Sequence, residues 1–308
     1  MKKIICLLSI TSAFFTACSD MEVPAPDDFT VSVAAATAKL GDSVKFNLTG
    51  DPDNIVFYSG ERGSEYDKRF DFNSNEGTLV LRFRGNTRAG ATLPRNISVL
   101  VSTDFNGEYD EKSVKAANWT NITDRATMAA NTATNADVAS GDINLDDLKV
   151  EGKPMFIAFR YLSENPTTTA QRYWNIGYLE LVNMVPGNDD YYITSTMAGG
   201  LFKVVEFAGA DNQWTINTGQ TANHRLIHTA NPINKESDDD WVISTDFQVF
   251  QTYPGKPVNI KDITQKATAT FSHMYAEPGI YKATFIAMNA NREIQREVVK
   301  EVTVNIIP

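Results

Sequence analysis

From residue 28 onward, apolar and polar residues alternate in short runs that Gly, Asn, Asp and Pro interrupt. A repeat of two places successive side chains on opposite faces of an extended chain, so this pattern predicts half-buried strands joined by turns. Phe29-Thr30-Val31-Ser32-Val33, Ser43-Val44-Lys45-Phe46-Asn47-Leu48 and Asn54-Ile55-Val56-Phe57-Tyr58 are three such runs near the N-terminus. Ala267 to Phe271, Tyr281 to Ala287 and Val298 to Ile306 are three more near the C-terminus. Long amphipathic helical stretches are missing, and the fold class expected is all-β. At 308 residues, 42% hydrophobic and 21% charged, the composition is ordinary for a globular chain. Such a length predicts roughly two domains. Collagen, an acidic disordered tail and a polytopic membrane protein are excluded. Lys and Arg number 28 against 38 Asp and Glu, a formal charge of −10, and no basic stretch could track phosphates, so nucleic acid is not expected as a partner.

The first residues carry a different signal. Met1-Lys2-Lys3 precedes an apolar run through Phe15 that is too short for a stable membrane span, the form of an export signal. It ends in Phe15-Thr16-Ala17-Cys18, which resembles the lipobox of bacterial lipoproteins, with Phe at a position where Leu is commoner. Residues 1–17 are read as a lipoprotein signal peptide, Cys18 as the lipidation site and 18–27 as a linker. An ordinary signal peptide with a chance cysteine is the alternative. Cleavage before Cys18 would leave one cysteine and no internal disulfide, and would remove Lys2 and Lys3, making the mature chain two charges more acidic. The membrane is then met through the lipid anchor only. Ser19-Asp20-Met21-Glu22 resembles the acidic surface-export signal of Bacteroidota lipoproteins, which implies a cell-surface-facing outer-membrane location; a periplasm-facing lipoprotein is the alternative.

Phe271-Ser272-His273-Met274-Tyr275-Ala276-Glu277-Pro278-Gly279-Ile280-Tyr281 resembles the H-x-Y-x-x-P-G-x-Y hairpin of polycystic-kidney-disease (PKD) domains, which are immunoglobulin-like sandwiches. Val56-Phe57-Tyr58-Ser59-Gly60-Glu61-Arg62-Gly63 sits where that family carries W-x-F-G-D-G. Three strands at either end cannot alone bury two facing sheets. Residues 28–72 and 247–308 are therefore expected to close into one PKD-like sandwich around an insert at 73–246. Two separate modules in linear order are the alternative. Within the insert, Ser102 to Gly107, Ala117 to Thr123, Ser140 to Leu145, Ile157 to Tyr161 and Tyr173 to Leu181 follow the order seen in galactose-binding-like jelly rolls of Bacteroidota surface lipoproteins. The whole resembles a lipoprotein family of unknown function encoded beside SusC-like and SusD-like glycan-uptake proteins. That resemblance implies polysaccharide or oligosaccharide, and those outer-membrane proteins, as partners.

Catalytic motifs are absent: there is no Gly-x-Ser-x-Gly, HExxH, P-loop or dinucleotide fingerprint. His224 and His228 have helical metal-ligand spacing, but their surroundings read as a strand, which would hold them ~13 Å apart. Neither a metal site nor a cofactor is assigned. A structural calcium is considered at Asp238-Asp239-Asp240 and Asp189-Asp190, both of which a solvated turn also explains. Glycan recognition needs flat aromatic faces beside polar groups. Trp119 and Trp174 lie inside strand motifs and read as core. Trp214, after the polar run Ala210-Asp211-Asn212-Gln213, and Tyr191-Tyr192, after Gly187-Asn188-Asp189-Asp190, read as loop-edge aromatics of a ligand-binding face, with Asn212 and Gln213 as hydrogen-bonding partners. The expected function is non-catalytic glycan binding. A structural or adhesion lipoprotein is the alternative, and it would present a broad apolar patch.

Overall fold

A computed structural model describes residues 22–88, 95–130, 136–163, 171–208, 213–219, 224–229 and 237–308. The described chain is almost entirely β, as the alternation requires. Its one α-helix, Glu111–Ala116, has six residues and is capped by Asp110, whose side chain accepts from the Ser113 amide at 2.7 Å. Among the described residues no helix is long and apolar enough to cross a membrane. The described residues form two compact units, one from residues 22–59 and 257–308 and the other from within the intervening 60–256.

In the discontinuous unit, Thr30–Val33, Ser43–Thr49 and Thr270–Met274 make a three-stranded sheet. Val258–Lys261, Asn54–Tyr58, Gly279–Ala290, Gln295–Ile307 and Thr37–Lys39 make a five-stranded one, in that order. Strands from both ends of the sequence pair directly: Phe46 is opposite Phe271 and Phe57 is opposite Phe285. These four phenylalanines form the centre of the core, with Phe46 and Phe57 rings 5.6 Å apart and Phe57 and Phe285 rings 4.8 Å apart. The H-x-Y-x-x-P-G-x-Y segment has a packing role. Tyr275 is buried, stacks on Tyr281 with centroids 4.5 Å apart, and donates to the Ser59 carbonyl at 3.3 Å, while Tyr281 donates to the Glu277 carbonyl at 2.8 Å.

The unit of residues 60–256 is also a sandwich. One sheet runs Lys203–Ala208, Asp238–Ile243, Phe156–Ser163, Ile97–Ser102, Thr120–Asn121. The other runs Trp214–Asn217, Arg225–His228, Tyr173–Met184, Thr78–Arg88, Val138–Ala139, with Tyr191–Thr194 and Ile143–Asn144 pairing off it. Alternation fixes the faces. Phe159 and Tyr161 point between the sheets with Leu81, Phe83, Trp174, Ile176 and Val242, while Phe156 and Ala158 point to the far side, into a smaller cluster with Phe105, Val114 and Trp241. The junctions fall after Ser59 and before Pro257 rather than near 72 and 247, because residues 63–74 pair with 250–256. Lys256 N donates to Gly63 O at 2.8 Å, Gly255 N to Lys68 O at 3.0 Å and Thr252 N to Phe72 O at 2.9 Å.

Candidate functional site

Those pairings build a polar cleft of about 420 Å³. One wall is the segment from Arg62 to Glu76, which includes the 3₁₀ turn Tyr66–Lys68; the other is formed by Val185, Asn188, Thr252, Tyr253 and Gly255. The walls approach through glycine. A Cβ on Gly255 would lie 2.2 Å from the Glu65 carbonyl oxygen, and one on Gly63, at φ +80°, would lie 2.8 Å from the Gly187 carbonyl oxygen. Several lining side chains hold the loop shape. Arg62 pairs with Glu76 at 3.1 Å and donates to the Pro186 carbonyl at 3.2 Å. Glu65 accepts from the Gly63 amide at 2.7 Å and pairs with Lys68 at 3.1 Å. Asp71 accepts from the Asn73 amide at 2.9 Å, and Asn188 donates to the Tyr253 carbonyl at 3.0 Å. Of the four acids that line the cleft, Glu65, Asp71 and Glu76 are thus engaged locally, and Glu151 is the fourth. Asn73, Asn75 and Ser74 add donors and acceptors at the rim.

Aromatic rings accompany this polar lining. The wall that supplies Lys68, Asp71 and Asn73 also carries Phe70 and Phe72, 78% and 55% exposed. Arg69 sits over the Tyr66 ring at 3.8 Å and over the Phe70 ring at 4.7 Å. On the other wall Tyr253 meets Tyr191 edge-on at 4.9 Å, and Lys256 lies 4.4 Å from the Tyr253 ring centre.

The residues singled out from sequence scatter relative to this cleft. Tyr191 abuts it, through Tyr253 and a bond from its hydroxyl to the Gln251 side chain at 3.3 Å, and the adjacent Tyr192 is exposed. Trp214 is not an exposed platform. It is 3% exposed, sits in the inter-sheet core, and its indole N–H donates to the Asp240 carbonyl at 3.1 Å. The reason is phase: Trp214 and Ile216 share the inward face of their strand. Gln213 is exposed and donates to Glu206. Asn212 and Cys18 lie outside the described residues. Asp189 is exposed and pairs with Lys256.

Asp238 and Asp240 correct the solvated-turn expectation. They occupy the Asp238–Ile243 strand, in phase with the core residue Val242, and are 2% and 0% exposed. Between them Asp239 points the other way and forms a two-toothed pair with Arg160 at 2.7 Å. From the opposite sheet His228, fully buried, brings Nε2 to 2.8 Å from Asp240 Oδ2 and 3.9 Å from Asp238 Oδ2. Its ring stacks on Tyr161 at 3.6 Å and meets the edge of Trp214 at 5.3 Å. Both Asp238 oxygens and Asp240 Oδ1 are buried without a hydrogen-bond partner. Burial pushes both carboxyls up to about 7, the neighbouring Asp240 charge adding to the shift of Asp238, and burial pushes the His228 imidazole down to about 4. His224 takes no part, so the metal-ligand spacing of the two histidines is incidental.

Fold and cleft together define an all-β protein of two sandwich units, one of them carrying a polar, aromatic-edged groove. Residues 17–201 match the model of a domain of unknown function, DUF5017, and the chain belongs to that family. The matched span takes in the Arg62 to Glu76 wall and Asn188 and ends before the strands of Trp214, His228 and Asp240. Neither a curated protein nor a solved structure matches the chain.

Proposed function

We propose that this protein binds polysaccharide or oligosaccharide in the cleft between the Arg62 to Glu76 wall and Tyr253, and does so without chemistry. One observation supports this reading above others: amide, carboxylate and hydroxyl groups line the cleft together with the Tyr253 ring, and the segment that supplies Asp71 and Asn73 also holds Phe70 and Phe72 in solvent next to the lining residues. Sugars need both elements, a flat apolar surface for the pyranose face and paired donors and acceptors for the hydroxyls. Glu65, Asp71 and Glu76 hold the shape of the wall through local contacts, which pre-organises the cleft for a ligand. In this reading Cys18 carries a lipid anchor and the acidic Ser19-Asp20-Met21-Glu22 segment supports a cell-surface-facing outer-membrane location, where the protein would hold glycan for SusC-like and SusD-like import partners. The PKD-like and jelly-roll assignments of the two sandwiches belong to this same reading. Affinity electrophoresis of residues 19–308 through gels containing plant, host and microbial polysaccharides tests it. Retardation by at least one polysaccharide is expected. Free migration through the whole panel would overturn glycan binding and leave the adhesion reading, to be pursued by capture of surface partners.

A further inference from the structure

We infer that His228, Asp238 and Asp240 form a buried divalent-cation site of the zinc class, holding the two sheets of the 60–256 unit together at one end. The His228 Nδ1 lies 3.1 Å from the Thr229 carbonyl oxygen and Nε2 lies 2.8 Å from Asp240 Oδ2, so the tautomer that donates from Nδ1 to the carbonyl leaves Nε2 as the ligating nitrogen. In the neutral ring the Nε2 lone pair then faces the two carboxylates. A backbone carbonyl on one imidazole nitrogen with the other free to ligate is the usual outer-shell arrangement of a metal-binding histidine. Stacking on Tyr161 and the edge contact with Trp214 fix the direction of that lone pair.

The ligand atoms also have the required spacing. Zinc bonds of about 2.0–2.1 Å in a tetrahedron separate neighbouring ligands by about 3.3 Å. The 2.8 and 3.9 Å distances from Nε2 to the two carboxylates bracket that value, and all three ligand atoms lie within 4.8 Å of one another. An independent observation points the same way. The Asp238 carboxylate is 98% removed from solvent, yet neither of its oxygens has a hydrogen-bond partner. Native folds rarely leave a buried carboxylate so exposed to desolvation without a counter-charge. A divalent ion neutralises two carboxylates, accepts the imidazole lone pair, and can take the second Asp238 oxygen as its fourth ligand. Nitrogen in the donor set favours zinc or a neighbouring transition ion over calcium.

The test is metal content and binding of the chelator-stripped protein, loaded either by titration with Zn²⁺ alone or by refolding in its presence, so that slow entry to a buried site is covered. About one equivalent of Zn²⁺ is expected, with a higher melting temperature, and Co²⁺ in its place should give visible absorption bands of a four-coordinate centre. Asp238→Asn removes a buried carboxylate whose oxygens have no hydrogen-bond partner, so its metal-free form should melt no lower than the metal-free parent while its Zn²⁺ affinity falls at least about tenfold. His228→Gln should lose the metal as well, and His224→Gln should keep it. Failure of the parent to take up Zn²⁺ or Co²⁺ by either route, or undiminished uptake by Asp238→Asn, would overturn the site.

Discussion

Asp137 shows how a single side chain can join two strands in the 60–256 unit. Its carboxylate forms a two-toothed pair with Arg225 at 2.6 and 3.2 Å and accepts a further bond from Asn86. The Arg225 guanidinium holds the Asp137 carboxyl below the usual carboxylate range. A depressed carboxyl contributes stability that is present above its unfolded value near 3.8 and is lost as the pH falls through the folded value. Asp137→Asn is therefore expected to lower stability by about 1–2 kcal/mol at pH 7, with the difference from the parent shrinking below pH 4. Urea unfolding of both proteins at pH 7 and pH 3 measures it. In the core, Phe159→Ala removes a ring packed edge-on against Phe83 at 5.3 Å and should cost about 3–5 kcal/mol by the same assay.

Among elements, the cleft depends on two chain segments approaching closer than any side chain permits. Gly255→Ala places a methyl group against the Glu65 backbone, and about 1–3 kcal/mol of destabilisation is expected, with cleft ligands weakened alongside. Thermal melts of the variant check the first part and gel retardation checks the second. Strands were legible because alternation is a local property: Ser43–Thr49 and Phe156–Ser163 are read directly from their apolar phase. The cleft was not, because it arises from pairing of residues 63–74 with 250–256, nearly two hundred positions apart. Trp214 and the two aspartates were misread for a related reason. Their polar neighbours suggested turns, whereas the phase shared with Ile216 and Val242 carries them inward. Reading phase before residue type would have placed Asp238 and Asp240 beside the core, but only the sandwich brings His228 to them from the opposite sheet.

At the scale of the molecule, the first unit draws its core from both ends of the chain, since Phe46 and Phe57 pack on Phe271 and Phe285. A chain ending at Lys256 lacks Thr270–Met274, Gly279–Ala290 and Gln295–Ile307. Limited proteolysis of that truncated protein is expected to digest residues 22–59 while 60–256 survives; protection of both would contradict the discontinuous core. The central claim is that the cleft holds glycan, and the most direct test compares the parent with the Phe70→Ala/Phe72→Ala variant in gels containing a polysaccharide that retards the parent. Both rings are exposed, so melting temperatures should match. Loss of both exposed aromatic faces should lower the apparent affinity read from retardation by at least about tenfold, about 1.4 kcal/mol. Equal retardation of parent and variant would contradict the account by placing the sugar elsewhere.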